Sequence, residues 1–284
     1  MRPKYAVVGY DDARVYAESV TPFLSRDEAR NNLPLGVLSN LQRGLIELSD
    51  PPVLLTVVGP GDDLVMTASM TPPWNLIVTS GPVAALRLVV DHLARIGTRP
   101  PGVLGPDATG REFARLWAES TGVTATESRR ERIYQLDAVS PPRGVAGALR
   151  AATTDDLDLA LGWLAAFCTE VNLPDRSTRE LVSRRIADQR MFLWVVDGEP
   201  VTLAGWGGDT PNGGRVGPVY TPPEHRRRGF ASAATAAVSQ RILDRGRRYC
   251  FLFTDLANPT SNKIYQDIGY RPVDDVVEMS FAAA

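Results

Sequence analysis

The sequence predicts an α/β protein made of two tandem halves that follow one order of elements: helices, a hairpin, a strand, a helix, a strand, a helix and a strand. Two observations carry this. Short β-branched runs alternate with stretches of helical apolar periodicity, and the order seen up to residue 140 returns after residue 150. A third separates the halves: Ser140-Pro141-Pro142-Arg143-Gly144-Val145-Ala146-Gly147 has the proline and glycine density of a linker. The expected division is a leading domain over 1–140, a linker over 141–149 and a second domain over 150–284.

In the first half, 11–18 and 25–32 read as short helices, with Ser25 as N-cap of the second and Glu28 three residues on. Leucines at helical spacing extend from Leu35 to Leu48. Residues 52–58 and 64–70 are strands around the Gly59-Pro60-Gly61-Asp62-Asp63 turn signal, and 75–79 is a further strand after Pro72-Pro73. A helix over 83–96 is capped by Gly97, 101–104 is a strand, a helix over 109–120 is closed by Gly122, and 132–139 is a last strand.

In the second half, 155–170 and 177–190 are helices, the latter with Ser177 as N-cap and Glu180 in the capping-box position. Asp197-Gly198 between the apolar runs 191–196 and 200–205 is a strong hairpin signal. Strand 250–254, helix 261–268 and strand 276–281 close the chain. Between hairpin and strand lies Val216–Ala231, which reads as a strand, a proline-punctuated turn at Pro222-Pro223, and a helix opening at Gly229 that runs from Phe230 to Leu243. Free N–H groups in the first turn of that helix, its dipole and Arg226-Arg227-Arg228 beside it propose a pyrophosphate cradle.

Composition narrows the classes. With 284 residues, 44% hydrophobic and 23% charged, the chain fits a soluble globular protein. A net charge of −2 gives no general basic field, so the arginines at 226–228 and at 129, 130 and 132 are local clusters and nucleic acid is not an expected partner. Cys168 and Cys250 sit in apolar surroundings and read as core residues rather than a disulfide framework. The two histidines, His92 and His225, form no cluster with metal-ligand spacing, so no metal is expected. With no signal-like leader and no run of 18 apolar residues, the expectation is a cytoplasmic protein that does not engage a membrane.

A second constellation follows: Asn258, Ser261, Tyr265, Gly269 and Tyr270, with Ser261 and Tyr265 on one helix face. The pair of motifs resembles the GNAT superfamily of acyl-CoA-dependent N-acetyltransferases. That family carries [Q/R]-x-x-G-x-[G/A] at the start of the helix after a splayed strand, matched here by Arg226, Gly229 and Ala231. It also carries N-x-x-[S/A]-x-x-x-Y-x-x-x-G-[F/Y], matched at Asn258, Ser261, Tyr265, Gly269 and Tyr270. The close resemblance covers roughly residues 150–284, while the first half is similar in element order only, like the degenerate leading domain of tandem GNAT proteins. After strand 75–79 no arginine or glutamine stands at R-x-x-G-x-A spacing, and residues 107–117 do not supply the asparagine and tyrosine, so that half is read as having lost cofactor binding.

The resemblance implies two tandem domains, each a mixed, splayed sheet flanked by helices, and acetyl-CoA as co-substrate. It assigns backbone contact with the pantetheine arm to Val219, Tyr220 and Thr221, the pyrophosphate to the amides from Arg226 through Arg227, Arg228, Gly229, Phe230 and Ala231 to Ser232, and further contacts to Asn258 and Ser261. Tyr265 is the implied general acid for the leaving thiolate, and the N–H of Val219 or a neighbour would polarise the thioester. No carboxylate lies on 215–221; Glu170, Asp209 or a water chain are the alternatives for the base. The acceptor site draws on Trp163, Phe167, Glu170, Asn172 and Trp206, with Trp74 reaching over from the first half. The reaction expected is transfer of an acetyl group to a primary amine of a small molecule, by a monomer or homodimer. The alternative is a non-catalytic acyl-CoA sensor.

Overall fold

The computed structural model describes residues 5–46, 48–175 and 177–283. In chain order the elements are β1 (Ala6–Gly9), α1 (Ala13–Leu24), α2 (Asn32–Gln42), β2 (Val53–Val58), β3 (Leu64–Met70), β4 (Leu76–Val78), α3 (Val83–Arg95), β5 (Gly102–Pro106), α4 (Asp107–Thr121) and β6 (Thr124–Leu136). There follow β7 (Ala148–Ala151), α5 (Leu157–Glu170), α6 (Arg179–Ala187), β8 (Met191–Val196), β9 (Glu199–Gly207), β10 (Gly213–Tyr220), α7 (Phe230–Asp244), β11 (Tyr249–Asp255), α8 (Pro259–Asp267) and β12 (Arg271–Ala282).

These elements pack as two units. The first runs to Ile133 and takes back Phe253–Asn258 and the chain from Val273 onward; the second comprises Tyr134–Leu252 and Pro259–Pro272. In the first unit the strands lie in the order β1-β2-β3-β4-β5, antiparallel except for the parallel pair β4/β5. The second repeats this as β7-β8-β9-β10-β11, again antiparallel until the parallel pair β10/β11. The duplication read from element order is therefore present in strand order and direction. The last strand of the chain, β12, joins the first unit and runs antiparallel to β5 from Ser280↔Gly102 to Val276↔Pro106.

Strand alternation sorts the core of the second unit. Phe192, Ala204, Trp206, Val216, Cys250 and Leu252 meet the α7 face. Met191, Leu193 and Leu203 point the other way, against Leu164 of α5 and Val182 and Ile186 of α6. In the first unit Leu55, Met66, Leu76 and Val103 pack on Val89 and Leu93 of α3 and on Phe113 and Trp117 of α4. A smaller cluster joins α1 and α2 to Leu54.

Several local expectations move by a few residues. Ser25 does not open a helix; its Oγ donates to the Thr21 carbonyl at 2.7 Å, and Ser25–Asp27 is a 3-10 turn after α1. The N-cap of α6 is Thr178, whose hydroxyl accepts from the Leu181 N–H, rather than Ser177. The helix expected from Leu35 to Leu48 is α2, which starts at Asn32 and stops at Gln42 ahead of Gly44, at φ +63°. The Asp197-Gly198 turn has φ of +50° and +87°, the left-handed pair that a type I′ hairpin requires.

Candidate functional site

Glycines determine how β10 is built. A Cβ on Gly213 would lie 2.6 Å from the Phe251 ring, and one on Gly214 would lie 2.8 Å from Trp206. The bare backbone thus lets two aromatic rings close on the start of the strand. Pairing with β9 runs Arg215↔Gly207 and Val216↔Trp206, then resumes at Val219↔Ala204. Three steps on β10 oppose two on β9, so Gly217-Pro218 forms a bulge, with Gly217 at φ +147°. On its other side, β10 pairs with β11 only over Gly213–Arg215 against Tyr249–Phe251. Among the described residues, Val216–Tyr220 therefore has no strand neighbour on that side, and the sheet opens where the sequence places the cofactor strand.

The chain leaves β10 through Thr221 and Pro222, makes a 3-10 turn over Pro223–His225 and enters α7. Arg227 at φ +60° and Gly229 at φ +81° turn the backbone. Gly229 is the N-cap and offers no side chain, so the first-turn N–H groups of α7 have no side-chain cap. Arg226–Gly229 are exposed, while Ala231 and Ser232 are half-buried. Phe230 is buried in the core, so only its backbone is available. Arg228 stacks its guanidinium 4.7 Å from the Phe230 ring centroid. Arg226 donates through Nε to the Thr221 carbonyl at 2.8 Å and through Nη2 to Glu170 at 2.5 Å, which fastens the turn to the end of α5. Thr221 also shares a 2.8 Å hydroxyl bond with Thr202.

Tyr265 sits on α8 with its ring between Tyr134, centroid 6.4 Å away, and Tyr270, 6.1 Å away and edge-on. The residue is half-buried, and burial pushes its phenol up to about 12. Tyr134 anchors the helix: its hydroxyl donates to Asn262 Oδ1 and accepts from Gln266 Nε2, both at 3.0 Å. Buried Tyr270 closes the motif on Ser239 Oγ at 2.8 Å. Ser261 is half-buried on α8. Asn258 is exposed and belongs to the Phe253–Asn258 segment of the first unit, where its N–H bonds the Asp255 carbonyl. The other residues implied for the cofactor and for catalysis lie in the second unit.

The candidates for base and acceptor contacts separate. Glu170 is engaged by Arg226. Asp209 is mostly buried, paired with Arg190 at 2.8 Å and 3.8 Å from Arg247, not a solvated surface charge. Trp163 is half-buried with its ring 6.4 Å from Tyr220, and Phe167 is half-buried on the same helix. Trp206 points into the core on the α7 face, beneath Arg190 at 4.2 Å, and lines no opening on the α5/α6 face. Trp74 is exposed within the first unit. Sequence reasoning missed Arg185. This α6 side chain donates through Nη2 to the Gly217 carbonyl at 3.2 Å, inside the bulge. Burial and the nearby charges of Arg190 and Arg215 push its guanidinium down to about 10.

In the first unit β4 and β5 pair only over Leu76↔Val103 and Ile77↔Leu104, and beyond them an apolar groove opens between Val78 and Pro106. α3 starts directly at Val83 behind Pro82, and a Cβ on Gly81 would lie 2.7 Å from Met66 Sδ. Among the described residues, no three His, Cys, Asp or Glu side chains are grouped to hold a metal ion, and no helix is long and apolar enough to cross a membrane.

Comparison with known proteins agrees with this fold. An acetyltransferase of the GNAT family from Colwellia psychrerythraea superimposes with a TM-score of 0.62 at 11% identity, over 98% of this chain and 100% of that one. A GCN5-related N-acetyltransferase from Sphaerobacter thermophilus gives a TM-score of 0.66 at 16% identity, over 99% and 97%. A tandem GNAT protein of the clavulanic acid biosynthesis pathway gives 0.55 at 14% identity, over 98% of each chain. The chain thus has the fold of the GNAT acetyltransferases, in a tandem arrangement. More narrowly, residues 193–278, which carry β10, the cradle and Tyr265, match the family of FR47-like proteins. No curated protein matches the sequence.

Proposed function

We propose that this chain is an acetyl-CoA-dependent N-acetyltransferase that acts on a primary amine of a small molecule by direct attack in a ternary complex. The observation that carries the reading is the continuity of one path. β10 loses its neighbour after Arg215, exposes a strand edge to Tyr220, and leads into an α7 N-terminus whose first turn has no side-chain cap. A linear arm with hydrogen-bonding amides at one end and a pyrophosphate at the other fits such a path.

Acetyl-CoA supplies an activated thioester when bound. Backbone groups of Val219, Tyr220 and Thr221 would hold its arm, and the N–H groups from Arg226 to Ser232 its pyrophosphate, with Arg227 and Arg228 exposed beside them. The N–H of Val219 or a neighbour stabilises charge on the carbonyl oxygen. In the transfer the C–N bond forms and the C–S bond breaks; the amine loses a proton and the sulfur gains one. A phenol near 12 stays protonated at neutral pH. It lies about three units above an ordinary thiol, so its contribution is hydrogen-bond donation to the developing thiolate as the proton arrives. Because Glu170 and Asp209 are both engaged by arginines, the amine proton leaves through water.

The first unit, with its direct start of α3, is proposed to carry no acyl-CoA site. The test is release of free thiol from acetyl-CoA in the presence of a panel of small amines. Amine-dependent release is expected. Tight acetyl-CoA binding with no release for any amine supports the sensor reading instead.

A further inference from the structure

α8 carries Tyr265 but contributes little to holding it in place. The helix has nine residues, none of them fully buried, and a helix of that length is marginal in water without tertiary support. The Lys263–Asp267 ion pair along it is exposed and adds little.

Support comes from the stretch that ends β6. That strand leaves the first unit at Ile133, and from Tyr134 the chain belongs to the second unit, as α8 does. Tyr134 is fully buried and meets α8 at three positions. Its hydroxyl donates to Asn262 Oδ1 and accepts from Gln266 Nε2, and its ring stands beside that of Tyr265. Farther along, the Ser140 N–H donates to the Ile268 carbonyl at 2.9 Å, just beyond the helix. Gly269 leaves room for this approach, since a Cβ there would lie 2.7 Å from the Ala138 carbonyl oxygen. A hydroxyl shared by side chains at i and i+4 fixes both the rotation of a helix and its position along the axis.

We infer that Tyr134 is a positioning residue for the transfer reaction: by clamping Asn262 and Gln266 to one hydroxyl, it sets the direction in which the Tyr265 phenol points. The inference rests on the reaction proposed above and deepens it. Side-chain tips stand about 5–6 Å from a helix axis, so a rotation of about 10° displaces them by about 1 Å. Misplacement by about 1 Å can cost about 10²-fold in rate. A strand end ahead of the linker thereby serves the helix that bears the acid.

The test measures thiol release from acetyl-CoA with an amine that the wild-type chain turns over. It compares wild type, Tyr134→Phe, Tyr265→Phe and the double variant, each as the full chain. Tyr134→Phe keeps the ring and removes the clamp, and should lower kcat by about 10- to 100-fold. The acetyl-CoA Kd and the amine KM should stay within about threefold of wild type, and the melting temperature within about 4 °C. In the Tyr265→Phe background the same change should alter kcat by less than about threefold, because the group it positions is gone. A purely structural role would lower kcat alike in both backgrounds. Should Tyr134→Phe fail to fold, Gln266→Met breaks the clamp from the exposed side of α8, and the same pair of results is expected. A kcat within about threefold of wild type, or equal losses in the two backgrounds, overturns the positioning role and leaves transfer intact. A loss of acetyl-CoA affinity that accounts for the fall in rate overturns it as well, by making Tyr134 a support of the cofactor groove. No thiol release by the wild-type chain with any amine overturns the transfer reading and the positioning role with it.

Discussion

Tyr265→Phe removes a single oxygen from the site. The ring keeps its place between Tyr134 and Tyr270, and among the described residues the hydroxyl makes no side-chain hydrogen bond. The stability cost should therefore stay below about 1 kcal/mol. The catalytic cost should be larger. Loss of a donor aimed at developing charge lowers kcat by about 10²–10³-fold, or about 2.7–4 kcal/mol of barrier. Since burial raises the phenol to about 12, it stays protonated throughout the neutral range, and the ratio of wild-type to variant kcat should be flat between about pH 6 and pH 9. Steady-state thiol release gives kcat, calorimetry gives the acetyl-CoA Kd, and thermal melting gives stability. A variant kcat within about threefold of wild type would refute the role of the phenol. So would a parallel loss of acetyl-CoA affinity, which would make Tyr265 a binding residue.

Two further perturbations follow from the same geometry. Gly229 holds φ +81°, and a Cβ there would stand 3.0 Å from Val145 Cγ2, so Gly229→Ala should cost about 1–2 kcal/mol in a melt and weaken acetyl-CoA about tenfold in a calorimetric titration. Asp156 accepts from Arg150 at 2.6 and 2.8 Å and from the Thr153 N–H at 2.7 Å, which together hold its carboxyl at about 2. A lowered carboxyl stabilises the fold above the unfolded value near 3.8 and loses that contribution as pH falls through about 2. Asp156→Ala should thus cost about 2 kcal/mol at neutral pH by denaturant unfolding, with the gap to wild type closing below about pH 4.

The parts of the fold that were legible in the sequence are those fixed by local chemistry. Asp197-Gly198 reads as a tight hairpin turn, and Gly229 before the apolar run from Phe230 to Leu243 reads as a helix start, both as the structure has them. The edge strands β1 and β7 were not legible. Each has only four residues and lacks the strict buried/exposed alternation that marks a half-buried strand; β1 is largely exposed and β7 largely half-buried. Ser25 and Ser177 look like N-caps because the residue type is right, yet the turn that forms decides which hydroxyl finds the N–H; at α6 it is Thr178. No local signal marks β12 as a partner of β5, because pairing depends on tertiary register. Within the site, the motif residues could be read directly, and the parting of β10 from β11 had only Gly217-Pro218 as a hint. Arg185 was missed because Arg184-Arg185 on a helix looks like a solvated face. The signal that would have found it is the glycine set at 205, 207 and 208, which leaves room for a long side chain over the sheet.

The central claim is that the second unit of this tandem fold holds one acyl-CoA groove and the first holds none. Calorimetric titration of acetyl-CoA into the intact wild-type chain tests it most directly. The structure predicts saturable binding with one site per chain, weakened by Gly229→Ala. Binding at two sites per chain, binding indifferent to Gly229→Ala, or no binding at all would contradict it.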